Sequence, residues 1–150
     1  MWSFKKSGEQ SIGRSKGGLT TKIVLIAASD KTALDFILGK GQNHDAPLGR
    51  LLLETVGRQK TIIPLVMDKA FEDDLTRYIA HSLGFYPVVP PKSNRTNPWE
   101  YDKELYKRRN EIERLFRLLD GFRRVFVRFE KLDVMYMAFV KLALIYLVIK

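Results

Sequence analysis

The stretch Thr61-Ile62-Ile63-Pro64-Leu65-Val66-Met67-Asp68 decides how this chain is read. It is an apolar, β-branched run that closes on a carboxylate, the pattern of a buried strand presenting Asp68 at its tip. Behind it, residues 73–83 have helical periodicity, with Asp73 and Asp74 at the favourable N-terminal end and Gly84 after the last turn. Residues 85–90 then read as another strand. Strand, helix and strand in this order predict an α/β unit, and they put Asp68 where α/β sheets collect their ligands. A plainer role is equally open to it, as a cap or turn former in Asp68-Lys69-Ala70-Phe71.

Towards the N-terminus, residues 21–28 are β-branched and apolar and predict a buried strand. Residues 34–38 read as its hairpin partner, with Ser29-Asp30-Lys31 at the turn. Residues 39–43 predict a flexible connection, and residues 47–56 a short helix. Residues 1–18 are polar and rich in Gly, Ser and Lys and read as loop or tail. The domain is placed at 13–150 after a polar tail of residues 1–12. Towards the C-terminus, the prolines of residues 90–98 exclude regular structure. A long helix is expected over 102–119, ended by Gly121, and a final helix over 132–149. Residues 122–129 are basic and aromatic and have no assigned type.

Composition limits the function. A chain of 150 residues with 45% hydrophobic content suits one domain with a real core and is not disordered overall. No cysteine is present, which removes disulfides and thiolate metal sites and fits a cytoplasmic protein. The net charge of +9 favours polyanionic partners, nucleic acid ahead of a membrane surface. The apolar segment 134–149 is shorter than the ~20 residues of a membrane span and carries Lys141, so a buried terminal helix is expected. The Gly13–Gly18 region lacks the Gly-Lys-Ser/Thr ending of a phosphate loop, and the lone His44 has no second ligand at metal-binding spacing.

The predicted helix over 102–119 carries a second carboxylate. Leu105, Ile112, Phe116 and Leu119, widened by Leu115, form its core-facing stripe. Tyr106, Arg109 and Glu113, spaced i, i+3, i+7, lie together at the edge of that stripe. An edge position suits a carboxylate that is partly desolvated yet reachable. The spacing also fits an ordinary Arg109–Glu113 helix-surface ion pair. Two acids converging from separate elements are part of what a divalent-metal phosphoryl-transfer site requires.

Tyr106, Arg109 and Glu113 match a signature of Tyr, two residues, Arg, three residues, Glu, six residues, Lys. With Gly13-Arg14-Ser15-Lys16-Gly17-Gly18-Leu19-Thr20-Thr21-Lys22, Gly41-Gln42-Asn43-His44-Asp45, Asp68-Lys69-Ala70-Phe71 and Pro90-Pro91-Lys92-Ser93-Asn94-Arg95, they follow one another in a specific order. In these pieces the chain resembles, from about residue 11 to its end, the catalytic domain of DDE transposases of bacterial insertion sequences. The resemblance implies an RNase H-like mixed sheet with flanking helices. It implies an Asp, Asp, Glu triad holding two divalent ions, Mg²⁺ or Mn²⁺, with Asp68 the second acid and Glu113 the third. The implied reaction is metal-dependent DNA cleavage and strand transfer at element ends. Tyr106 and Arg109 would support the metal-bound end and phosphate, and Lys92 and Arg95 would contact DNA. The implied partners are element-end and target DNA, an upstream transposase fragment or frame-fusion partner, and a second copy in a homodimer.

Two departures from the family pattern stand out. The family's first Asp lies on the first, central strand, upstream of the Gly-Arg-Ser segment, and this chain is expected to begin too late to contain it. Asp30 matches a hairpin turn and Asp45 the His-Asp pair, so neither replaces it. A sheet without that strand would have open edges, so the isolated chain is expected to be poorly soluble or partly folded. Asp120 stands where the signature has Lys, with Arg117, Arg123 and Arg124 close enough in sequence to compensate. Three functions therefore remain: the second-frame part of a split transposase, an inactive truncated remnant, or a non-catalytic basic DNA-binding protein.

Overall fold

A computed structural model of the protein describes residues 8–150. Its centre is the antiparallel hairpin of β2 (Gly18–Ala27) and β3 (Ala33–Lys40), in the register Ile23 opposite Leu38 and Leu25 opposite Phe36. The turn between them closes through Ser29, whose hydroxyl accepts from the Lys31 and Thr32 amides. Strand alternation sends Ile23, Leu25 and Ala27 to one face and Lys22 and Ile26 to the other. The first set joins Phe36 and Leu38 in the main core. Ile26 packs instead on a second cluster around Leu53, Ala80 and Phe85.

Helix α1 (Asp45–Val56) covers that second face. It sits so close to the strand that a Cβ on Gly39 would lie 2.4 Å from a Leu48 methyl. Beyond it, β4 (Ile63–Val66), α2 (Asp74–Ser82) and β5 (Phe85–Val88) form the expected strand-helix-strand unit, with β4 and β5 parallel. Asp73 caps α2 by accepting from the Thr76 amide, and its partner Arg50 ties α2 to α1. Gly84 makes the sharp exit from α2 at φ +86, a conformation that suits glycine.

The opposite face of the hairpin is covered by α4 (Arg109–Asp120), α5 (Arg123–Phe126) and α6 (Asp133–Ile149), which follow a one-turn α3 (Lys103–Tyr106). Leu115, Leu119, Tyr136, Val140, Ala143 and Leu147 fill the core between these helices and the sheet. The buried Tyr136 hydroxyl donates to the Val125 carbonyl at 2.7 Å and fixes α5.

Five expectations change. Residues 13–15 are not tail: they form β1 (Gly13–Ser15), which pairs with the start of β2 through a tight turn at Lys16 and Gly17. The preceding residues are also held, because Gln10 accepts from the Asp133 amide and the Ser11 amide donates to the Asp133 carboxylate at the start of α6. The remainder of the expected tail, residues 1–7, lies outside the described residues.

The long helix expected over 102–119 is two helices. Asp102 caps α3 through the Leu105 amide, and tight amide bonds from Lys107 to Glu104 and from Arg108 to Leu105 close it after one turn. Gly39 and Lys40 belong to β3, and the connection to α1 is correspondingly shorter.

The strands do not form one mixed sheet. They form a three-stranded antiparallel sheet, β1-β2-β3, and a separate parallel pair, β4-β5. Finally, α6 buries only one face; Met135, Leu142, Ile145 and Ile149 stay exposed on the other. Among the described residues no helix is long and apolar enough to cross a membrane.

Candidate functional site

The chain leaves β4 at Val66, passes the buried Met67, and turns at Asp68. One carboxylate oxygen of Asp68 accepts from the Ala70 amide at 3.2 Å and so caps the single 3₁₀ turn Lys69–Phe71. Its other oxygen, Oδ2, is free to point outward, and it accepts from Arg109 Nη1 at 2.9 Å. The other terminal nitrogen, Arg109 Nη2, lies 2.9 Å from Glu113 Oε1. One planar guanidinium therefore holds a carboxylate from the end of β4 and another from α4.

Both plainer roles open to these residues are present: Asp68 caps, and Arg109 pairs with Glu113. What the spacing could not show is that the same arginine also reaches Asp68, so the two acids converge. All three side chains are partly exposed, Asp68 most at 52%. Solvent reaches the site, so these pairs contribute little to stability.

Tyr106 lies on α3 and Arg109 begins α4, so the expected single helical face is broken between them. They still meet, with the Arg109 guanidinium 5.9 Å from the Tyr106 ring centre. Burial pushes the Tyr106 hydroxyl above its ordinary pKa against the opposing pull of Arg109. Tyr101 packs edge-on against the same ring.

Lys92 and Arg95 belong to the loop beside this turn, and both face Glu72. Arg95 Nε donates to Glu72 Oε2 at 2.9 Å, Nη1 donates to Asp74 at 2.7 Å, and Nη2 donates to the Glu72 carbonyl. Arg95 and Arg77 also flank the Trp99 ring, Arg77 at 3.5 Å from its centre. Lys92 Nζ pairs with Glu72 at 3.2 Å but stays mostly exposed. Burial pushes the Glu72 carboxyl up, but the hydrogen bonds from Arg95 and Lys92 outweigh it and hold the group below its ordinary pKa.

Glu72 and Trp99 escaped the sequence reading. Neither sits in a periodic pattern; the one available signal was an acid four residues after Asp68 facing a Lys and an Arg across a proline-rich loop. Arg128, in the basic segment, is also engaged internally, donating to Thr21 and pairing with Asp133 at 2.9 Å. Of the two acids weighed as substitutes for the family's first Asp, Asp45 pairs with Lys22 at 2.6 Å and Asp30 lies 3.8 Å from Arg114.

The donor chemistry of Asp68 and Glu113 fits a hard divalent cation such as Mg²⁺, which takes one or two carboxylates and completes its shell with water and phosphate oxygens. The two carboxylates already share one cationic group, Arg109, so they are close enough to face a common positive centre. Among the described residues no third acid or histidine joins them in a metal-binding group.

The Transposase DDE domain family model matches residues 2–148. A protein of Brucella ovis described as a transposase for insertion sequence element IS6501 is 29% identical over 126 residues, covering 83% of this chain and 95% of that protein. No solved structure matches the chain.

Proposed function

The chain belongs to the transposase DDE domain family, and from that premise we propose that it is the C-terminal part of a metal-dependent transposase of the Tyr-Arg-Glu-Lys group, cutting and joining DNA at insertion-sequence ends. DNA transposition is the general function of the family. The observation that carries the finer reading is the convergence of Asp68 and Glu113, from separate elements, on Arg109.

In this reading Asp68 and Glu113 hold Mg²⁺ or Mn²⁺. When bound, the ions supply activation of the attacking oxygen and stabilisation of the leaving one. The chain's own residues align and neutralise. The β4 strand and its capped turn fix Asp68, and α4 fixes Glu113. Arg109 offers a planar fork matched to phosphate oxygens. Glu72 anchors the 91–95 loop through Arg95 and leaves the Lys92 ammonium at the surface, where DNA phosphate could meet it.

The open strand edges support a third carboxylate supplied by another segment. The amide of Ile63 donates to Gly84 and that of Met67 to Val88, so the odd residues of β4 face β5. The backbone groups of Val66 and the Pro64 carbonyl then point to the edge that no described strand pairs. On β2, the Gly41 amide donates to Thr20, which fixes the even residues towards β3 and turns Ile23 and Leu25 to the opposite edge. Two such edges, with Ile26 and Leu65 packed on one apolar cluster, suit one inserted strand. We read the two sheets as the halves of an RNase H-like sheet, the inserted strand carrying the missing Asp and coming from an upstream fragment or frame-fusion partner. A homodimer at paired element ends fits the same reading.

The test fuses the chain to such an upstream strand and measures Mg²⁺-dependent nicking of element-end DNA. Activity is expected only in the fused form, and lost on Asp68→Asn or Glu113→Gln. Unchanged cleavage in either variant removes that residue from the site.

A further inference from the structure

We infer that Arg109 is a positioning residue that stands in for the divalent ion until metal and DNA arrive, and that it must leave the two carboxylates for the ion to enter; this rests on the reading that Asp68 and Glu113 hold the metal. Two carboxylates brought together from β4 and α4 repel each other, more strongly near a protein surface than in open water. Arg109 removes that cost. Its two terminal nitrogens lie 2.9 Å from Asp68 Oδ2 and 2.9 Å from Glu113 Oε1.

The other Asp68 oxygen is held by the Ala70 amide. Arg109 therefore uses the outward oxygen, the one a metal ion would also need. A guanidinium bridging the two carboxylates and a divalent ion bound between them compete, because both are cations and both need the space between these oxygens.

Release has somewhere to go. Arg109 is a third exposed, on a flexible stem, with the Tyr106 ring 5.9 Å away as an apolar resting surface. Once free of the carboxylates, its donors suit a phosphate bidentately. Arg109 thus exchanges carboxylate partners for phosphate, which couples metal loading to DNA arrival.

The test is direct binding of Mn²⁺ to the 150-residue chain without DNA, followed by the electron paramagnetic resonance of free Mn²⁺. Arg109→Gln is expected to bind Mn²⁺ roughly three- to tenfold more tightly, the scale that two partly exposed ion pairs allow. Arg109→Lys, which keeps the charge but not the fork, should fall between. Equal or weaker binding by Arg109→Gln overturns the placeholder role.

Asp68→Asn and Glu113→Gln separate this from the underlying reading. If they leave Mn²⁺ binding unchanged, the metal site itself fails. If they abolish it while Arg109→Gln has no effect, only the placeholder fails. Should Arg109→Gln not fold, the unaltered chain suffices: the side-chain N–H resonance of Arg109 should move as Mg²⁺ is added, and a signal that stays fixed to saturation overturns the proposal.

Discussion

Replacing Glu72 by alanine removes the one acid that both loop cations share. Its side chain is 4% exposed and accepts from Arg95 Nε at 2.9 Å and from the Lys92 amide at 3.4 Å. Breaking a fully buried pair costs about 3–5 kcal/mol, because a charge is left without a partner. Here the cost is smaller. Arg95 keeps Asp74 at 2.7 Å and the Glu72 backbone carbonyl at 3.1 Å, and Lys92 returns to solvent. The loss is then about one hydrogen bond to a charged group plus the vacated volume, about 2–3 kcal/mol.

With a urea dependence near 2 kcal/mol per molar, the unfolding midpoint should drop by about 1–1.5 M. The assay is urea unfolding followed by Trp99 fluorescence in a Trp2→Phe background. Trp99 reports locally, since Arg77 and Arg95 both lie over its ring. Glu72→Gln keeps shape and one acceptor and should lose about half as much. If the bare chain shows no folded baseline, the strand-fused form serves the same comparison. A midpoint shift below about 0.3 M for Glu72→Ala would refute the anchoring role.

Three further outcomes follow from the same structure. Gly49→Ala would ordinarily gain about 1 kcal/mol in a helix, but its Cβ would lie 2.5 Å from the Phe71 ring; a loss of about 1–3 kcal/mol is expected from overpacking, and a raised melting temperature contradicts the packing. Glu72 and Asp133 are both held below their ordinary values of 4.5 and 3.8. In each, burial pushes the carboxyl up but is outweighed, in Asp133 by Ser11 and Arg128. Groups with depressed pKa values contribute stability that is full above their unfolded values and is lost as pH falls through the folded ones. Urea midpoints should therefore hold steady down to about pH 5 and fall below it, the fall lessened by Glu72→Gln; a midpoint that rises on acidification has the wrong sign. On the proposed reading, a strand supplied by fusion should raise solubility and the melting temperature by pairing the β2 and β4 edges, whereas a monomeric bare chain with a cooperative, high-temperature melt rules out an unfilled slot.

Local order was legible because short-range physics sets it. The β2–β3 hairpin, the β4-α2-β5 unit, the Asp73 cap and the glycine exit at Gly84 follow from side-chain period, cap chemistry and backbone sterics, all written within a few residues of each other. The same is true of Asp68 closing a strand. The break between α3 and α4 was less legible, since every residue across it is a good helix former. It comes from tight amide bonds after Tyr106, which let Tyr106 face Tyr101 while Leu115 and Leu119 turn to the sheet.

The sequence by itself singled out the candidate residues, Asp68, Tyr106, Arg109 and Glu113, on an α/β chain of net charge +9. Only the tertiary structure decided their relation. Asp68 and Arg109 are 41 residues apart and meet because β4 ends where α4 begins. It also gave Arg95 to Glu72 and Arg128 to Thr21 and Asp133, so that neither is wholly available to DNA. The physical reason is common to all of these: a charged side chain takes its partner from whatever the packed backbone brings within about 3 Å, and no local pattern encodes that distance.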